Sequence, residues 1–296
     1  PSSSSFLISL GQAMETKRIA ICFFGITRSL SFTIESVVEN VIDPAKETGE
    51  VKVFAHFFKQ RKIENSRTGE SALLNPNEHH LLNADEVELE QPDKFLASSN
   101  FGAVSKFGDG FGDQFQSLRN LFHQLYSLQK VTLNALEWNP DIVVFVRPDL
   151  QYHDSMFNIY KRASRLSDGV FVPNWQHWDG LNDRFSVAVG TKAIRAYGLR
   201  FEQVLSYCEH MNAPLHSEKL LKYVLRNERI RTMGIRASRV RANLTLAEEP
   251  FHHYRILSLH NYLAHLCRCS FDNKLLVSAM WSLQVLIYGN PYKNLK

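Results

Sequence analysis

Cysteine is scarce: Cys22, Cys208, Cys267 and Cys269 are the four in 296 residues. They are too few and too scattered for a disulfide framework. The Cys267-Arg268-Cys269 pair has neither the C-x-x-C spacing of a zinc or dithiol site nor a second pair to complete one. All four read as reduced thiols in a reducing compartment. Long apolar runs are missing too. The longest, residues 275–289, is interrupted by Ser278, Ser282 and Gln284 and falls short of the roughly 20 residues of a membrane span. A soluble, cytoplasmic protein is expected, with no integral membrane contact. Charge of one sign is also lacking, since 34 basic residues face 30 acidic ones. That balance excludes a dedicated nucleic-acid binder but allows a local basic site for an anionic ligand. Neither G-x-G-x-x-G nor a P-loop is present, which argues against NAD chemistry and ATP hydrolysis. Residues 1–13 lack a basic leader, and Met14 before Glu15-Thr16-Lys17-Arg18 reads as a native start. Residues 1–13 are therefore expected to lie outside the fold as a disordered segment.

What is there suits one large α/β unit: 44% hydrophobic, 22% charged and 11% aromatic residues. Residues 18–24 form a continuous apolar run, as a strand covered on both faces requires. A helical pattern follows (Ile34, Val37, Val38, Val41) and is expected to stop at Asp43-Pro44. A second apolar run spans 51–58. Strand, helix, strand opens a parallel sheet. Residues 60–113, with charges, His79-His80 and a Gly/Asp-rich end, read as a long irregular loop. Apolar spacing predicts a helix over 114–138, closed by Asn139-Pro140. Buried strands are predicted at 142–146 and 169–173, and a weaker one at 185–189. Helices are predicted over 191–210, from Ser217 onward, and over about 274–288. The expected organisation is a catalytic unit over 14–245 with a helical extension over 246–296 packed on it. The extension's apolar helix would suit a homodimer contact.

Candidate chemistry gathers where strands end, because ligands of open α/β sheets bind outside the carboxyl ends of the strands. Arg147-Pro148-Asp149-Leu150-Gln151 follows the 142–146 strand. Asp149 there could hold a divalent ion on a diphosphate, bind sugar hydroxyls, or simply cap a turn. Arg147 is a diphosphate contact or a solvated edge residue. After the first strand, Gly25 permits close backbone approach, Thr27 offers a hydroxyl and Arg28 a planar cation. The loop with Trp178, Asp179, Asn182, Asp183 and Arg184 sets an aromatic beside amides and carboxylates, the mixture a sugar ring asks for. Glu218 follows Ser217, the expected N-cap, in the first turn of a helix whose dipole favours the ionised base. His216 is an orienting group, a ligand or a structural residue. Six arginines fall within residues 226–241. The alternation there puts Arg239 and Arg241 on one side of an extended strand, able to grip a diphosphate. Without interleaved stacking aromatics, the run does not read as an RNA site. The doublets His79-His80 and His252-His253 read as ordinary loop residues.

Arg-Pro-Asp-Leu at 147–150, Asn-Asp-Arg-Phe at 182–185 and His-Ser-Glu at 216–218 stand in an order that resembles the GT-A class of nucleotide-sugar-dependent glycosyltransferases. The chain looks most like the small soluble enzymes of bacterial capsule and large-DNA-virus glycan synthesis, which for a viral protein implies the host cytoplasm. The resemblance covers roughly residues 17–245. It implies a GT-A-like, Rossmann-type, mostly parallel sheet flanked by helices. The implied activity is sugar transfer from a nucleoside diphosphate, UDP above all, to a glycan hydroxyl. Asp149, Leu150 and Gln151 would occupy the D-x-D place, where acids hold manganese or magnesium on the donor diphosphate. Gln151 stands where the second acid should be, a departure that would leave arginines to take the ion's place. Glu218 would be the base of an inverting reaction, and Asp149 the other catalytic acid. Gly25, Thr27, Arg28, Arg147, Gln151, Arg239 and Arg241 would hold the donor. Trp178, Asp179, Asn182, Asp183 and His216 would hold sugar or acceptor. A nucleotidyltransferase, a glycoside hydrolase built on Asp183 and Glu218, and a non-catalytic carbohydrate-binding protein are the alternatives.

Overall fold

The computed structural model describes residues 16–65, 69–249 and 251. Its centre is β1 (Arg18–Gly25), the first apolar run, whose residues alternate between two buried faces. Strand β2 (Glu50–Phe58) and strand β6 (Ile142–Val146) pair with it in parallel on either side. Beyond β2 lies β5 (Glu86–Glu90), also parallel. Beyond β6 come antiparallel β9 (Ser186–Val189), then β8 (Gly169–Pro173), then β10 (Ile230–Met233) parallel to β8. The sheet order is β5-β2-β1-β6-β9-β8-β10. The expected α/β class, with a mostly parallel Rossmann-type sheet flanked by helices, is what the chain forms.

Because successive strand residues point to opposite faces, Ile19, Ile21 and Phe23 meet helix α1 (Leu30–Val37), α2 (Asp43–Lys46) and α6 (Phe157–Ala163). Ala20, Cys22 and Phe24 meet α5 (Gln116–Glu137), α7 (Thr191–Gly198) and α9 (Ser217–Val224). A third apolar cluster joins α3 (Pro92–Ser98), α4 (Phe101–Ser105) and α8 (Val204–Met211) to the first half of α5.

The structure departs from three expectations. Asp43-Pro44 does not stop the first helix: a π-turn over Val38–Ile42 leads into α2, whose first turn tolerates Pro44 because that N–H needs no helical partner. The single helix expected over 191–210 breaks into α7, a 3₁₀ turn at Arg200–Gln203, and α8. The described residues of 60–113 are not one irregular loop. They form a hairpin of β3 (Lys62–Asn65) and β4 (Glu70–Leu73), a 3₁₀ turn at Glu78–Leu82, then β5, α3 and α4. Strand β5 escaped notice because Glu-Val-Glu-Leu-Glu is an edge strand, where charge replaces the apolar run.

Strand β7 (Leu150–Tyr152) pairs antiparallel with β11 (Ala237–Arg239) beside the sheet's carboxyl edge, Arg239 opposite Leu150. Cys22 and Cys208 are free, buried thiols, both pushed up by burial, Cys208 to about 11. The other two cysteines, His252-His253 and the helix expected over 274–288 lie outside the described residues. Among the described residues, no helix is long and apolar enough to cross a membrane.

Candidate active site at the carboxyl edge of the sheet

Strands β1 and β6 are neighbours whose chain continuations diverge, which opens a crevice at their carboxyl ends. A cleft of about 880 Å³ fills this place. Its floor is Gly25, Arg28, Arg147 and Asp149; one wall is Asp183, His216, Ser217 and Glu218; Arg184 and Arg239 close the side. Gly25 holds φ at +108°, a conformation favouring glycine, as β1 ends.

The floor is an ion cluster. Arg147 donates from Nε to Asp149 Oδ1 at 2.9 Å and from Nη2 to Oδ2 at 2.7 Å. Arg28 donates from Nε to Asp149 Oδ2 at 3.1 Å, adds a second bond from Nη2, and reaches Glu70 from Nη1 at 3.1 Å. Both Asp149 oxygens are therefore taken, and the side chain is only 4% exposed. Burial alone would raise its pKa, but the charges of Arg147 and Arg28 outweigh that and hold the carboxyl well below the usual range. Conversely, Asp149 lifts the Arg147 guanidinium against the opposing effect of burial. Local structure fixes the cluster: Thr33 Oγ1 donates to Pro148 O at 2.6 Å, and the Val240 amide donates to Asp149 O at 2.8 Å.

Arg239 differs from its neighbours. Its Nε is buried without a hydrogen-bond partner, and among the described residues no carboxylate pairs with its guanidinium. Burial, then repulsion from Arg147 and Arg184, pulls it down to about 10. Arg184 instead donates to Glu249 Oε1 and to the Gln176 side-chain oxygen Oε1, not to the adjacent Asp183. A guanidinium with an unbonded, buried Nε beside other guanidinium groups suits an anion.

The facing wall carries acids of another kind. His216, rather than the expected Ser217, is the N-cap position of α9, which starts at Ser217; no side chain caps it. Instead, Ser217 Oγ donates to Asp183 Oδ2, and Gln124 Nε2 approaches the same oxygen at 3.5 Å. His216 Nδ1 lies 3.2 Å from Glu218 Oε2. Burial raises the Glu218 pKa; the His216 contact opposes this and the Asp183 charge adds to it. The sequence expectation of a carboxylate kept ionised by the helix start is thus offset by burial, which raises it. Gly180 has no room for a Cβ, which would overlap the Glu218 carbonyl. The next amide, Leu181 N, donates to that carbonyl at 2.9 Å.

Of the sequence candidates, Gly25, Arg28, Arg147, Asp149, Trp178, Asp183, His216, Glu218 and Arg239 meet in this cleft. Trp178 stands at its mouth, 46% exposed. Five candidates are elsewhere. Thr27 lines a small crevice with Pro76 and His79. Gln151 sits in β7 opposite Ser238, outside the cleft lining. Arg241 also lies outside the lining, since the strand ends at Arg239 and the chain turns there, the Arg241 amide bonding Thr245 O at 2.9 Å. Asn182 is buried and braces the loop, donating to Trp175 O at 2.6 Å and accepting from the Arg184 amide at 3.0 Å. Asp179 is exposed, with Lys219 at 3.9 Å. Sequence reasoning missed the hairpin residues 62–65, Phe111 and the polar stripe Gln116, Asn120 and Gln124 on α5, all of which line the cleft. The stripe's four-residue spacing is its readable signal.

The residues in the D-x-D place do not fit a metal. Both Asp149 oxygens already accept from guanidinium groups in a side chain that is almost fully enclosed, and Gln151 lies outside the cleft. Another group, His56, Glu88 and Glu90, brings three ligand atoms within 4.8 Å of one another. It lies outside the cleft lining and already holds Lys130, whose Nζ is 2.8 Å from Glu88 and 3.4 Å from Glu90.

No family model and no curated protein matches the chain. Among solved structures, it is similar to mouse xyloside xylosyltransferase 1 in its apo form (11% identity over 73% of this chain and 84% of that one, TM-score 0.40). It is also similar to the galactosyltransferase LgtC in complex with donor and acceptor sugar analogs (8% identity over 72% of each chain, TM-score 0.41).

Proposed function

We propose that the protein is a GT-A-type glycosyltransferase that moves a sugar from a nucleoside diphosphate donor to a glycan hydroxyl with inversion. UDP is the nucleotide and a pentose or hexose the sugar. The observation that carries this reading is the meeting, in one cleft, of a guanidinium whose buried Nε has no hydrogen bond, Arg239, with a carboxylate at a helix start, Glu218. Glu218 takes the proton of the acceptor hydroxyl, whose oxygen attacks the anomeric carbon. The bond from that carbon to the diphosphate oxygen breaks, and its electron pair leaves with the diphosphate toward the Arg147–Arg239 side, where the positive field stabilises the developing charge. Asp183, Ser217 and Trp178 offer the acceptor or transferred sugar hydroxyls to bond and a ring to lie against. His216 orients Glu218. The buried, reduced Cys22 and Cys208 suit a cytoplasmic setting.

The test is release of UDP from UDP-glucose, UDP-galactose and UDP-xylose, each with and without a glycan acceptor. The expected result is acceptor-stimulated release that falls by about 10²–10⁴-fold in Glu218→Gln, while UDP still binds that variant. Full activity in Glu218→Gln would remove the base assignment. Glycan binding without any turnover would make the protein a carbohydrate-binding module.

A further inference from the structure

We infer that this cleft binds the donor's diphosphate through arginine side chains and without a divalent cation. The inference rests on reading the cleft as a nucleoside-diphosphate site, and departs from the metal-bridged binding that the family resemblance implies.

A divalent ion bridging two phosphates takes carboxylate oxygens that are not already held by cations. Asp149 spends both oxygens on Arg28 and Arg147. To ligate a metal it would have to release two enclosed guanidinium groups and leave them beside a dication, which costs the ion pairs and adds like-charge repulsion. Each of the other acids in or beside the cleft also has a partner on one oxygen at least. Glu70 accepts from Arg28 at 3.1 Å and from the Ala242 amide at 2.6 Å. Asp183 accepts from Ser217, Glu218 contacts His216, and the exposed Glu64 pairs with Lys62.

The positive side points the same way. β11 pairs with β7, which sets Arg239 opposite Leu150 and directly beside Asp149. Arg239 is then a third guanidinium near an ion cluster that has one carboxylate too few, and its Nε is buried with no acceptor. A buried donor of this kind is costly unless something supplies the missing oxygens. A diphosphate does so: it brings several anionic oxygens, and the planar fork of arginine engages two at once. Arg239 thus supplies the charge that a metal ion supplies elsewhere.

The experiment is calorimetric titration of the full chain with UDP, uridine and inorganic pyrophosphate, once in EDTA and once in manganese chloride. UDP and pyrophosphate are expected to bind in EDTA with affinities within about twofold of those in manganese. Arg239→Gln should weaken both by tenfold or more while leaving uridine unchanged. Arg239→Lys, which keeps the charge but loses the fork, should fall between. Removing a repelled, unpartnered cation should also leave the melting temperature of Arg239→Gln no lower than that of the parent. UDP binding that appears only with manganese overturns the inference and leaves the nucleotide reading standing. So does wild-type affinity in Arg239→Gln. If UDP, GDP and CDP all fail to bind in both buffers, the nucleotide reading itself fails and takes this inference with it.

Discussion

Asp149 and Glu218 are both enclosed carboxylates of one cleft, yet their surroundings drive them in opposite directions. Asp149 lies between two guanidinium groups and is held ionised far below its ordinary range. Glu218 has one histidine for company, a like-charged Asp183 nearby and enough burial to raise it. Groups pushed apart in this way take different roles. Asp149 is a fixed counter-charge that organises Arg28 and Arg147, whereas Glu218, raised above the ordinary glutamate range, holds a proton more readily. Burial is common to both; the number of partner cations separates them.

The comparison breaks most visibly at Asp149. Asp149→Asn leaves Arg147 without its counter-charge and should destabilise the fold by about 3–5 kcal/mol, measured by denaturant unfolding; a loss under about 1 kcal/mol would show the cluster to be dispensable. Acid titration sharpens it. Because the folded-state value of Asp149 is depressed, its stabilisation is present above the ordinary aspartate value of about 3.9. That stabilisation is lost as pH falls toward the folded value. Glu218 is raised, so its contribution runs the other way and diminishes as pH rises through its folded value. For catalysis, the base must be deprotonated. The acid limb of the transfer rate should therefore lie above the ordinary glutamate value of about 4.3, and a limb at or below it would remove Glu218 from the role. The smallest effect is expected at Gln151, in β7 and outside the cleft: Gln151→Ala should change stability by no more than about 0.5 kcal/mol and leave transfer rates intact. A large loss of donor binding in that variant would return Gln151 to the site.

The sheet was legible because buried parallel strands carry continuous apolar runs, as at 18–24 and 142–146, and because α5 repeats its apolar residues at helical spacing. Strand β5 was not, since an edge strand shows its charges. Within the site, the sequence marked residue types at strand ends and a helix start, and Arg147, Asp149, Asp183, Glu218 and Arg239 do converge. Hidden were the partners. Nothing local says that Arg28 reaches Asp149, 121 positions away, or that Arg184 prefers Glu249 to its neighbour Asp183. Those pairings decide whether an acid is a ligand, a base or a brace, and they arise only when distant segments pack. Gln151 is the instructive case. It shares a motif with Asp149, but the pairing of β7 with β11 commits it to a small second sheet.

Gly180 has a consequence out of proportion to its size. Its bare α-carbon lies against the peptide of Glu218, so the loop behind Trp178 acts as a mechanical stop on which the first turn of α9 rests. How far the proton acceptor reaches toward the cleft floor is thereby set by steric contact with a residue that has no side chain, charge or reactive atom. Adding even one methyl group at this position would tilt the helix before it altered any chemistry.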